Sequence, residues 1–405
     1  RPALPGARRA PGGTGRRVNV VPLAGRGPAA VRDALLSHGW EGDVASLTAG
    51  GLEVAGFHVA DVDADVLEAM VPLANRLGLE LVTGDDWLLL VGPRSRLGAF
   101  ARPWVQPEPV RELAMAIGLA MPGEPVMAWR HARGTVALDA PVVIGVVNVT
   151  PDSFSAPSRA LSVDDALRLA ATLVDGGATV IDVGGESTRP GAEPVPTEAE
   201  RERVLPIVAA IALHHPDLPL SVDTVHAETA RAALDAGAGI INDVTAGRHD
   251  PGVLEVAAGA GAGLVLSHSR GALGTLASYQ HAEYGGDVTG AVVRELGAAR
   301  DAARAAGIAD DMIVLDPGFG FGKTPAQNWR LLHHLDAVAA LGHPVLAGVS
   351  RKRFLADATG REVDDRDRAT AAACALALDR GARLFRVHDP AAVRDALAVA
   401  HAMSR

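Results

Sequence analysis

The sequence predicts an α/β protein, a (β/α)8 TIM barrel preceded by a small N-terminal α+β domain, and three observations lead to this fold class. From Pro141 onward, short apolar strands alternate with alanine-rich helical segments, which is the pattern of a parallel sheet. Eight such strands and eight helices occupy about 260 residues, close to the ~250 residues typical of this barrel. A doubly wound sheet would carry a glycine-rich fingerprint after its first strand, and none is present there.

The first barrel strand is the clearest example of the pattern. Residues 142 to 147 read V-V-I-G-V-V, an apolar run typical of a strand that is buried on both faces of a parallel sheet. The chain then becomes polar at Asn148, Thr150, Pro151 and Asp152, which are residues that favour turns. A buried strand that ends in a polar loop is the unit from which active sites of α/β proteins are built.

The other strands and helices of the barrel follow the same composition. The predicted strands are Val142–Val147, Thr179–Val183, Pro219–Val222, Ile240–Asp243, Gly263–Ser267, Ile313–Asp316, Val345–Val349 and Leu384–Val387. The predicted helices are Val163–Asp175, Glu198–His214, Ala227–Ala236, Gly252–Ala258, Asp287–Ala306, Gln327–Leu341, Asp365–Asp379 and Pro390–Met403.

The residues before the barrel form a less regular section. We expect a disordered tail at residues 1–17, a small α+β domain at 18–135 and the catalytic barrel at 136–405. Pro72 lies inside a predicted helix, where we expect a kink or a break. No constellation of catalytic residue types occurs in the small domain. Its predicted strands are Val18–Leu23, Phe57–Val62, Glu80–Thr83 and Trp87–Val91, with a turn at Asp85-Asp86, and its predicted helices are Pro28–Ser37, Asp65–Leu77 and Pro109–Ile117.

The composition limits the classes of protein to which the chain can belong. Of the 405 residues, 48% are hydrophobic and 21% are charged, as in ordinary globular proteins. The formal net charge of −10 argues against nucleic acid or an anionic membrane as the main partner. The single cysteine, Cys374, lies in an apolar helical run and is expected to pack in the core. No apolar run reaches the ~18 residues of a membrane span, and the chain starts without a secretory pattern, so we expect a cytoplasmic protein.

Polar and charged side chains gather where the predicted strands end. In a barrel of this type, the reactive groups lie at the carboxyl ends of the strands and in the loops that follow. This concentration at one rim is the functional signal of the sequence. The residues at these positions are Asn148, Gly184 to Gly191, Asp223, Asn242, Asp243, His268, Asp316 to Lys323, Ser350, Arg351, Lys352, Arg386 and His388.

The residue types at the rim indicate part of the chemistry. Arg189, Arg386 and His388 can donate hydrogen bonds to a multiply charged anion, and arginine can bind phosphate through two parallel bonds. Asn148 can offer an amide oxygen to Mg²⁺, which contacts few protein groups when it bridges phosphates.

Other rim residues suit a flat, polar heterocycle. Asp223, Asn242 and Asp316 are acceptors or mixed donors of the kind that fix a ring by a few convergent polar contacts. Phe319 and Phe321 can supply part of the apolar wall of such a pocket.

The barrel closely resembles the dihydropteroate synthase family. The resemblance covers Pro141 to about His401, and the section from Phe57 to Ile117 is similar, more loosely, to an N-terminal extension of some bacterial members. The motifs are N-V-T-P-D-S-F-S at Asn148–Ser155, I-D-V-G-G-E-S-T-R-P-G-A at Ile181–Ala192, S-V-D-T at Ser221–Thr224, I-N-D-V at Ile241–Val244, D-P-G-F-G-F-G-K at Asp316–Lys323, S-R-K at Ser350–Lys352 and R-V-H-D at Arg386–Asp389.

The resemblance implies a transferase of folate biosynthesis that condenses 6-hydroxymethyl-7,8-dihydropterin pyrophosphate with 4-aminobenzoate to give 7,8-dihydropteroate. It also implies Mg²⁺ as cofactor and a homodimer formed through the last two helices. In the family, pyrophosphate leaves first, and the aniline nitrogen then attacks a cationic pterin methylene. The implied residues are Asp223, Asn242, Asp316 and Lys352 for catalysis and, with Phe321, for the pterin; Asn148, Thr188, Arg189, Arg386 and His388 for the pyrophosphate; Asn148 for the metal; and Phe154, Thr188, Pro190 and Phe321 for the aminobenzoate.

Three places depart from the usual pattern of the family. Ala156-Pro157-Ser158 stands where Asp-Gly-Gly is common, so Pro157 stiffens a loop that is expected to move. Arg353 replaces a common serine, which affects an aminobenzoate contact. The end of the fifth strand, residues 267–271, reads S-H-S-R-G in place of M-H-M-Q-G, so the apolar cover of the pterin is thinner.

Several alternatives stay open at this stage. Asp182 and Asp243 either belong to the site or hold loops by hydrogen bonds, and His268 and Lys323 are either functional or structural. Arg351 is either a phosphate contact or a salt-bridge partner. A methyltetrahydrofolate methyltransferase would share the ring-binding carboxylates but would have no use for a pyrophosphate site, and a non-catalytic pterin-binding protein would bind the ring without turnover.

Overall fold

The structure of the chain is a computed structural model that describes residues 19–22, 54–101, 106–121, 127–149, 162–186 and 195–403. The chain divides into two compact units, Arg1–Ala120 and Met121–Arg405. Within the described ranges, no helix combines the length and the apolar character that crossing a membrane requires. The expected tail at 1–17 and the predicted helix Pro28–Ser37 lie outside the described residues.

The described part of the first unit is an antiparallel sheet with helices, which confirms the predicted α+β class. Its elements are the strands β1 (Asn19–Pro22), β2 (Val54–Ala60), β3 (Glu80–Thr83) and β4 (Trp87–Pro93) and the helices α1 (Ala64–Leu77), α2 (Arg94–Phe100) and α3 (Arg111–Ala120). The strand order is β1-β2-β4-β3, so β4 is paired on both sides. Its apolar run leaves Leu88 to Val91 fully buried.

Helix α1 continues through Pro72, so the predicted break is wrong. Pro72 lies on the exposed face of the helix. Proline has no backbone N–H, so the carbonyl one turn earlier lacks its helical donor, and water can bond to it there instead. The helix ends at Gly78, whose φ of +63° is the left-handed conformation that glycine adopts without strain.

The second unit begins with a hairpin that the sequence patterns did not predict, formed by β5 (Ala128–His131) and β6 (Gly134–Ala137). The hairpin inserts the fully buried Trp129 among the residues that line the amino end of the barrel interior. The indole N–H of Trp129 donates a hydrogen bond to the carbonyl oxygen of Met312 at 3.0 Å. A Cβ on Gly263 would lie 3.1 Å from this indole nitrogen, so there is little free space around the side chain of Trp129.

Replacing Trp129 with alanine is expected to lower the free energy of unfolding by about 3–5 kcal/mol, because the cavity cannot close fully. Trp129→Phe keeps the six-membered ring and should cost about 1–3 kcal/mol, because the carbonyl of Met312 loses its donor. Urea unfolding of the two variants measures both values. An alanine variant as stable as the original chain would show that the hairpin does not contribute to the core.

The rest of the second unit is a closed barrel of eight parallel strands, which confirms the predicted fold class. Each strand pairs with the next along the chain, and the last pairs with the first. Three predicted strands have the observed bounds, and the others differ by one or two residues at one or both ends. The strands are β7 (Val142–Asn148), β8 (Val180–Gly184), β9 (Leu220–Asp223), β10 (Ile240–Asp243), β11 (Gly263–Ser267), β12 (Ile313–Asp316), β13 (Val345–Ala347) and β14 (Ala382–Val387).

The helices between the barrel strands follow the prediction with two differences. The segment predicted as the single helix Gln327–Leu341 is two helices, and a short helix after β13 was missed. The helices are α4 (Val163–Asp175), α5 (Thr197–His214), α6 (Ala227–Asp235), α7 (Gly252–Ala260), α8 (Val288–Ala305), α9 (Pro325–His333), α10 (Asp336–Ala339), α11 (Arg353–Thr359), α12 (Asp367–Asp379) and α13 (Pro390–Met403).

Candidate active site

The barrel interior changes from apolar to polar along the strands. Buried Val180, Ile240, Val314 and Leu384 belong to one apolar cluster inside the barrel. Because side chains alternate between the two faces of a strand, the residues two positions further on point to the same interior. These residues are Asp182, Asn242, Asp316 and Arg386, so the carboxyl end of the barrel encloses a polar cluster above an apolar floor.

Arg386 joins two of the carboxylates in this cluster. Its Nε donates to Asp182 Oδ2 at 2.6 Å, and one of its terminal nitrogens donates to Asp223 Oδ2 at 2.8 Å. The side-chain amide of Asn242 also donates to Asp182 Oδ2, at 3.0 Å. Asp182 therefore orients both the guanidinium and the amide. Of the two roles left open for it, these contacts favour membership of the site over holding a loop.

Two acceptor oxygens of the cluster are buried and have no hydrogen-bond partner among the described residues. They are Asp182 Oδ1 and Asn242 Oδ1. A buried acceptor that stays unpaired costs about 1–3 kcal/mol. N–H groups of a bound heterocycle would offset that cost.

The charged groups in the cluster shift each other's pKa values. Burial raises the pKa of Asp223 to about 7, with Arg386 opposing the shift and Asp182 adding to it. Burial works to lower the pKa of Arg386, but Asp182 and Asp223 raise it above its ordinary value. Arg386 stays cationic, while Asp223 changes charge near neutral pH.

Asp316 and Lys352 form the second charged part of the site. Asp316 accepts hydrogen bonds from the backbone N–H of Gly318 at 2.7 Å and from Ser267 Oγ at 3.2 Å. Burial raises the pKa of Asp316, and Lys352 opposes the shift. Burial lowers the pKa of Lys352 to about 8, with Asp316 acting against it. The ammonium of Lys352 lies 4.0 Å from the ring centre of Phe321, a cation–π contact.

The loop after β12 requires its glycines. Gly318 and Gly320 have φ values of +68° and +81°, and Gly322 has +56°. A Cβ on Gly318 would lie 1.8 Å from the carbonyl oxygen of His268, and one on Gly320 would lie 2.9 Å from Lys352 Cδ. Only glycine lets the loop approach these neighbours so closely.

The remaining described rim residues lie at the ends of β7 and β14. Asn148 is half-buried. It is the register partner of Gly184 on β8, and Gly184 is in turn the register partner of Asp223 on β9. Nδ1 of His388 lies 3.0 Å from Ser350 Oγ, and the backbone N–H of His388 donates to the same oxygen.

Four predicted site residues and one predicted departure lie outside the described residues. They are Phe154, Thr188, Arg189, Pro190 and the segment 156–158.

The structure decides several of the open alternatives. Asp243 accepts bonds from Thr245 and Gly247 and so holds the loop after β10. Arg351 forms a two-bond salt bridge with Asp367. The guanidinium of Arg353 lies 4.7 Å from the ring centre of Tyr279.

Sequence reasoning missed Glu295, and it predicted no hydrogen-bond partner for Ser267 or Ser350. Ser267 and Ser350 stand inside or beside strand ends, where their hydroxyls could have been expected to bond to a neighbouring site residue. Glu295 contacts His268 from the middle of α8, and nothing in the local sequence marks it.

Comparisons with known proteins agree in the region of the barrel. Residues 144–388 match the family model described as pterin binding enzyme. The dihydropteroate synthase of Mycobacterium leprae (strain TN) is 45% identical over 267 residues, which are 64% of this chain and 93% of that protein.

Solved structures give the same result. A dihydropteroate synthase of Xanthomonas albilineans with 4-aminobenzoic acid is 46% identical, with a TM-score of 0.62, over 67% of this chain and 95% of that one. The same enzyme in complex with 7,8-dihydropteroate is 44% identical, with a TM-score of 0.59, over 67% and 96%.

Proposed function

The chain belongs to the dihydropteroate synthases, within the pterin binding enzymes, and we propose that the polar cluster at its barrel mouth carries out their reaction. The enzyme condenses 6-hydroxymethyl-7,8-dihydropterin pyrophosphate with 4-aminobenzoate, giving 7,8-dihydropteroate and pyrophosphate. One observation supports the assignment of the site most directly. Arg386, Asp182, Asp223 and Asn242 come from four strands and form one hydrogen-bonded cluster inside the barrel mouth.

The pterin ring binds at the inner part of the mouth. Asp223, Asn242, Asp316 and Lys352 contact its polar edge, and Phe321 forms part of the apolar wall. The unpaired oxygen of Asn242 supports this placement, because a pterin offers N–H donors along one edge. The carboxylates of Asp223 and Asp316 favour positive charge on the ring as the leaving group departs.

The pyrophosphate binds above the ring. Arg386 of β14 and His388, which directly follows this strand, bind it together with Thr188, Arg189 and Asn148. Cationic donors stabilise the negative charge that develops when the carbon–oxygen bond breaks. The aniline nitrogen of 4-aminobenzoate then forms the new bond to the pterin methylene carbon, and the amine gives up a proton.

Asn148 is suited to hold Mg²⁺. Its half-buried side chain ends β7 beside Gly184, and an amide oxygen is a hard ligand of the kind that this ion accepts. The bound ion would supply further positive charge to the departing pyrophosphate.

The aminobenzoate pocket is formed by Phe154, Thr188, Pro190 and Phe321.

Release of pyrophosphate tests this function. Purified enzyme with the pterin pyrophosphate and Mg²⁺ should release pyrophosphate only when 4-aminobenzoate is added. Pterin binding without turnover would instead indicate a non-catalytic binding protein. Tight binding of methyltetrahydrofolate, with no Mg²⁺-dependent binding of the pterin pyrophosphate, would indicate a methyltransferase.

Turnover is expected to fall as the pH drops below about 7, because Asp223 then takes up a proton. Its raised pKa means that the full negative charge exists only above this value and is lost as the pH falls. Protonation weakens both the pairing with Arg386 and the stabilisation of a cationic ring. The measurement is kcat/KM for the pterin pyrophosphate against pH. An acid limb at about pH 4, the ordinary value for aspartate, would contradict this role.

We also propose a homodimer formed through α12 and α13. These helices pack on each other, yet they expose Leu376, Val399 and Met403 by 56%, 65% and 80%. Exposed apolar side chains on adjacent helices favour association with a second copy. Leu376→Asp should convert a dimer into a monomer in light scattering, and Val71→Asp on α1, also exposed, should leave the mass unchanged. A monomeric original chain would contradict the proposal.

A further inference from the structure

The chain contains two lysines among its 38 basic residues, Lys323 and Lys352, and both lie at the barrel mouth. Lys352 belongs to the proposed pterin site, whereas the reaction as described makes no use of Lys323. The side chain of Lys323 is fully buried. A buried cation requires hydrogen-bond partners on all sides, since it has lost its water.

The nitrogen of Lys323 has three acceptors at about 3 Å, and the carbonyl oxygen of His268 lies further away at 3.5 Å. The carbonyl oxygens of Gly318 and Phe321 each lie 3.0 Å away, and Nδ1 of His268 lies 2.9 Å away. An ammonium has three N–H donors, so these acceptors match the charged form. A neutral amine has two donors and would leave one acceptor unpaired. The planar fork of an arginine does not fit such a closed set of acceptors.

Glu295 determines which nitrogen of His268 carries the proton. Nε2 of His268 lies 3.0 Å from Glu295 Oε2, and an ionised carboxylate can only accept. Nε2 therefore carries the hydrogen, and Nδ1 presents its lone pair to Lys323. Arg270, which bonds to the same carboxylate, helps to keep Glu295 ionised.

We propose that Glu295, His268 and Lys323 form a relay of positioning residues that holds the pterin-binding loop in its active shape. The proposal rests on the function proposed above. Glu295 fixes the tautomer of His268, His268 accepts from the ammonium of Lys323, and that ammonium fixes the loop after β12 through two carbonyls. No residue of the relay needs to touch a substrate.

The contacts of the loop connect the relay to the pterin site. Gly318 accepts from Lys323 through its carbonyl and donates through its N–H to Asp316 at 2.7 Å. Phe321 accepts through its carbonyl, and its ring lies below the ammonium of Lys352. If Lys323 loses its charge, both Asp316 and Phe321 lose part of the support that orients them.

The pKa of Lys323 depends on the charge of Glu295 and of the other groups around the relay. Burial lowers the pKa of Lys323 to about 7, where Asp316 and Glu295 favour its charged form, and Lys352 and Arg270 disfavour it. Burial and Lys323 lower the pKa of His268 to about 4, against the effect of Glu295, so this imidazole stays neutral at neutral pH. Tyr284, whose pKa is raised to about 12, also lies beside His268 and is uncharged. Removing the charge of Glu295 should therefore deprotonate Lys323 at a lower pH.

The test is a direct titration of Lys323 in the intact chain. With two lysines present, ¹³C-labelled lysine gives two Cε signals, and Lys323→Met identifies one of them by its loss. In Glu295→Gln the pKa of Lys323 should fall on the order of one unit. Glu255→Gln removes an equal charge from an exposed position on α7 and should leave the titration unchanged. An unchanged pKa in Glu295→Gln would overturn the relay.

The functional half of the proposal is tested by binding. At pH 7, where Lys323 of the original chain is about half charged, Glu295→Gln should bind the pterin pyrophosphate about fivefold more weakly, because displaced site groups reduce affinity steeply. Its KM for 4-aminobenzoate should rise less, because Phe321 is the only residue assigned to that pocket that the relay supports, and general destabilisation would not produce this split. Equal losses for both substrates, or no loss for the pterin, would overturn the positioning role. A chain that never releases pyrophosphate would contradict the proposed function, while the titration would still decide whether the relay exists.

Discussion

Replacing Lys352 with alanine is expected to lower kcat/KM on the order of 10³-fold, because its charge is directed at the reacting ring inside a buried site. The ammonium lies over Phe321 and faces Asp316 and Asp223. Without it, the buried Asp316 keeps Lys323 but loses the stronger of its two opposing cations, and its already raised pKa should rise further. Asp316→Ala should have an effect of the same order, since it removes the other member of the pair. Pyrophosphate release measures both losses.

The control for this prediction is a cation outside the site. Arg361→Ala removes an exposed positive charge just beyond α11 and should retain full activity. Thermal unfolding of Lys352→Ala and Asp316→Ala should show that each variant is folded. A folded Lys352→Ala with near-normal turnover would mean that the pterin site is assigned to the wrong residues.

Arg386→Ala is expected to abolish turnover and also to destabilise the fold. It leaves Asp182 and Asp223 buried without their shared cation, and breaking a buried ion pair by removing one partner costs about 3–5 kcal/mol. In this variant the pKa of Asp223, already raised by burial, should rise further because the opposing charge of Arg386 is gone. The loss of stability should therefore be largest above neutral pH and should shrink toward pH 5, where the folded protein takes up protons. Urea unfolding at the two pH values measures this difference.

A second substitution separates the two effects of Arg386→Ala. Adding Asp223→Asn removes one unpaired charge and should restore part of the stability, but no turnover. Equal stability of Arg386→Ala and the original chain at pH 8 would contradict the ion-pair network. Restored turnover in the double variant would contradict a role for Arg386 in binding the pyrophosphate.

The sequence was sufficient to predict the barrel because its strands are valine-rich runs with polar ends. Such a run fits the interior of a parallel sheet and few other environments. The hairpin at 128–137 was missed because its strands, which read A-W-R-H and G-T-V-A, contain no apolar run. Its position depends on the packing of Trp129 inside the barrel, which is a tertiary contact. The break between α9 and α10 falls at His334 and Leu335, where no glycine or proline marks it.

The candidate site was partly predictable for a related reason. Parallel strands bring their carboxyl ends to one rim, so the strand-end residues Asp223, Asn242 and Arg386 could be grouped before any coordinates were considered. The hydrogen-bond partners of the site residues could not be predicted in this way. The hydrogen bonds of Asp182 to residues 60 and 204 positions away depend on the closure of the barrel. Glu295 reaches His268 from a helix, and only the packed structure relates the two.

A crystal structure of the enzyme with the pterin pyrophosphate and Mg²⁺ would test the central claim most directly. We expect the ring within hydrogen-bonding distance of Asp223, Asn242, Asp316 and Lys352, and the pyrophosphate against Arg386 and His388 with the ion at Asn148. A ring bound elsewhere on the protein, or a pyrophosphate that touches none of these groups, would contradict the account.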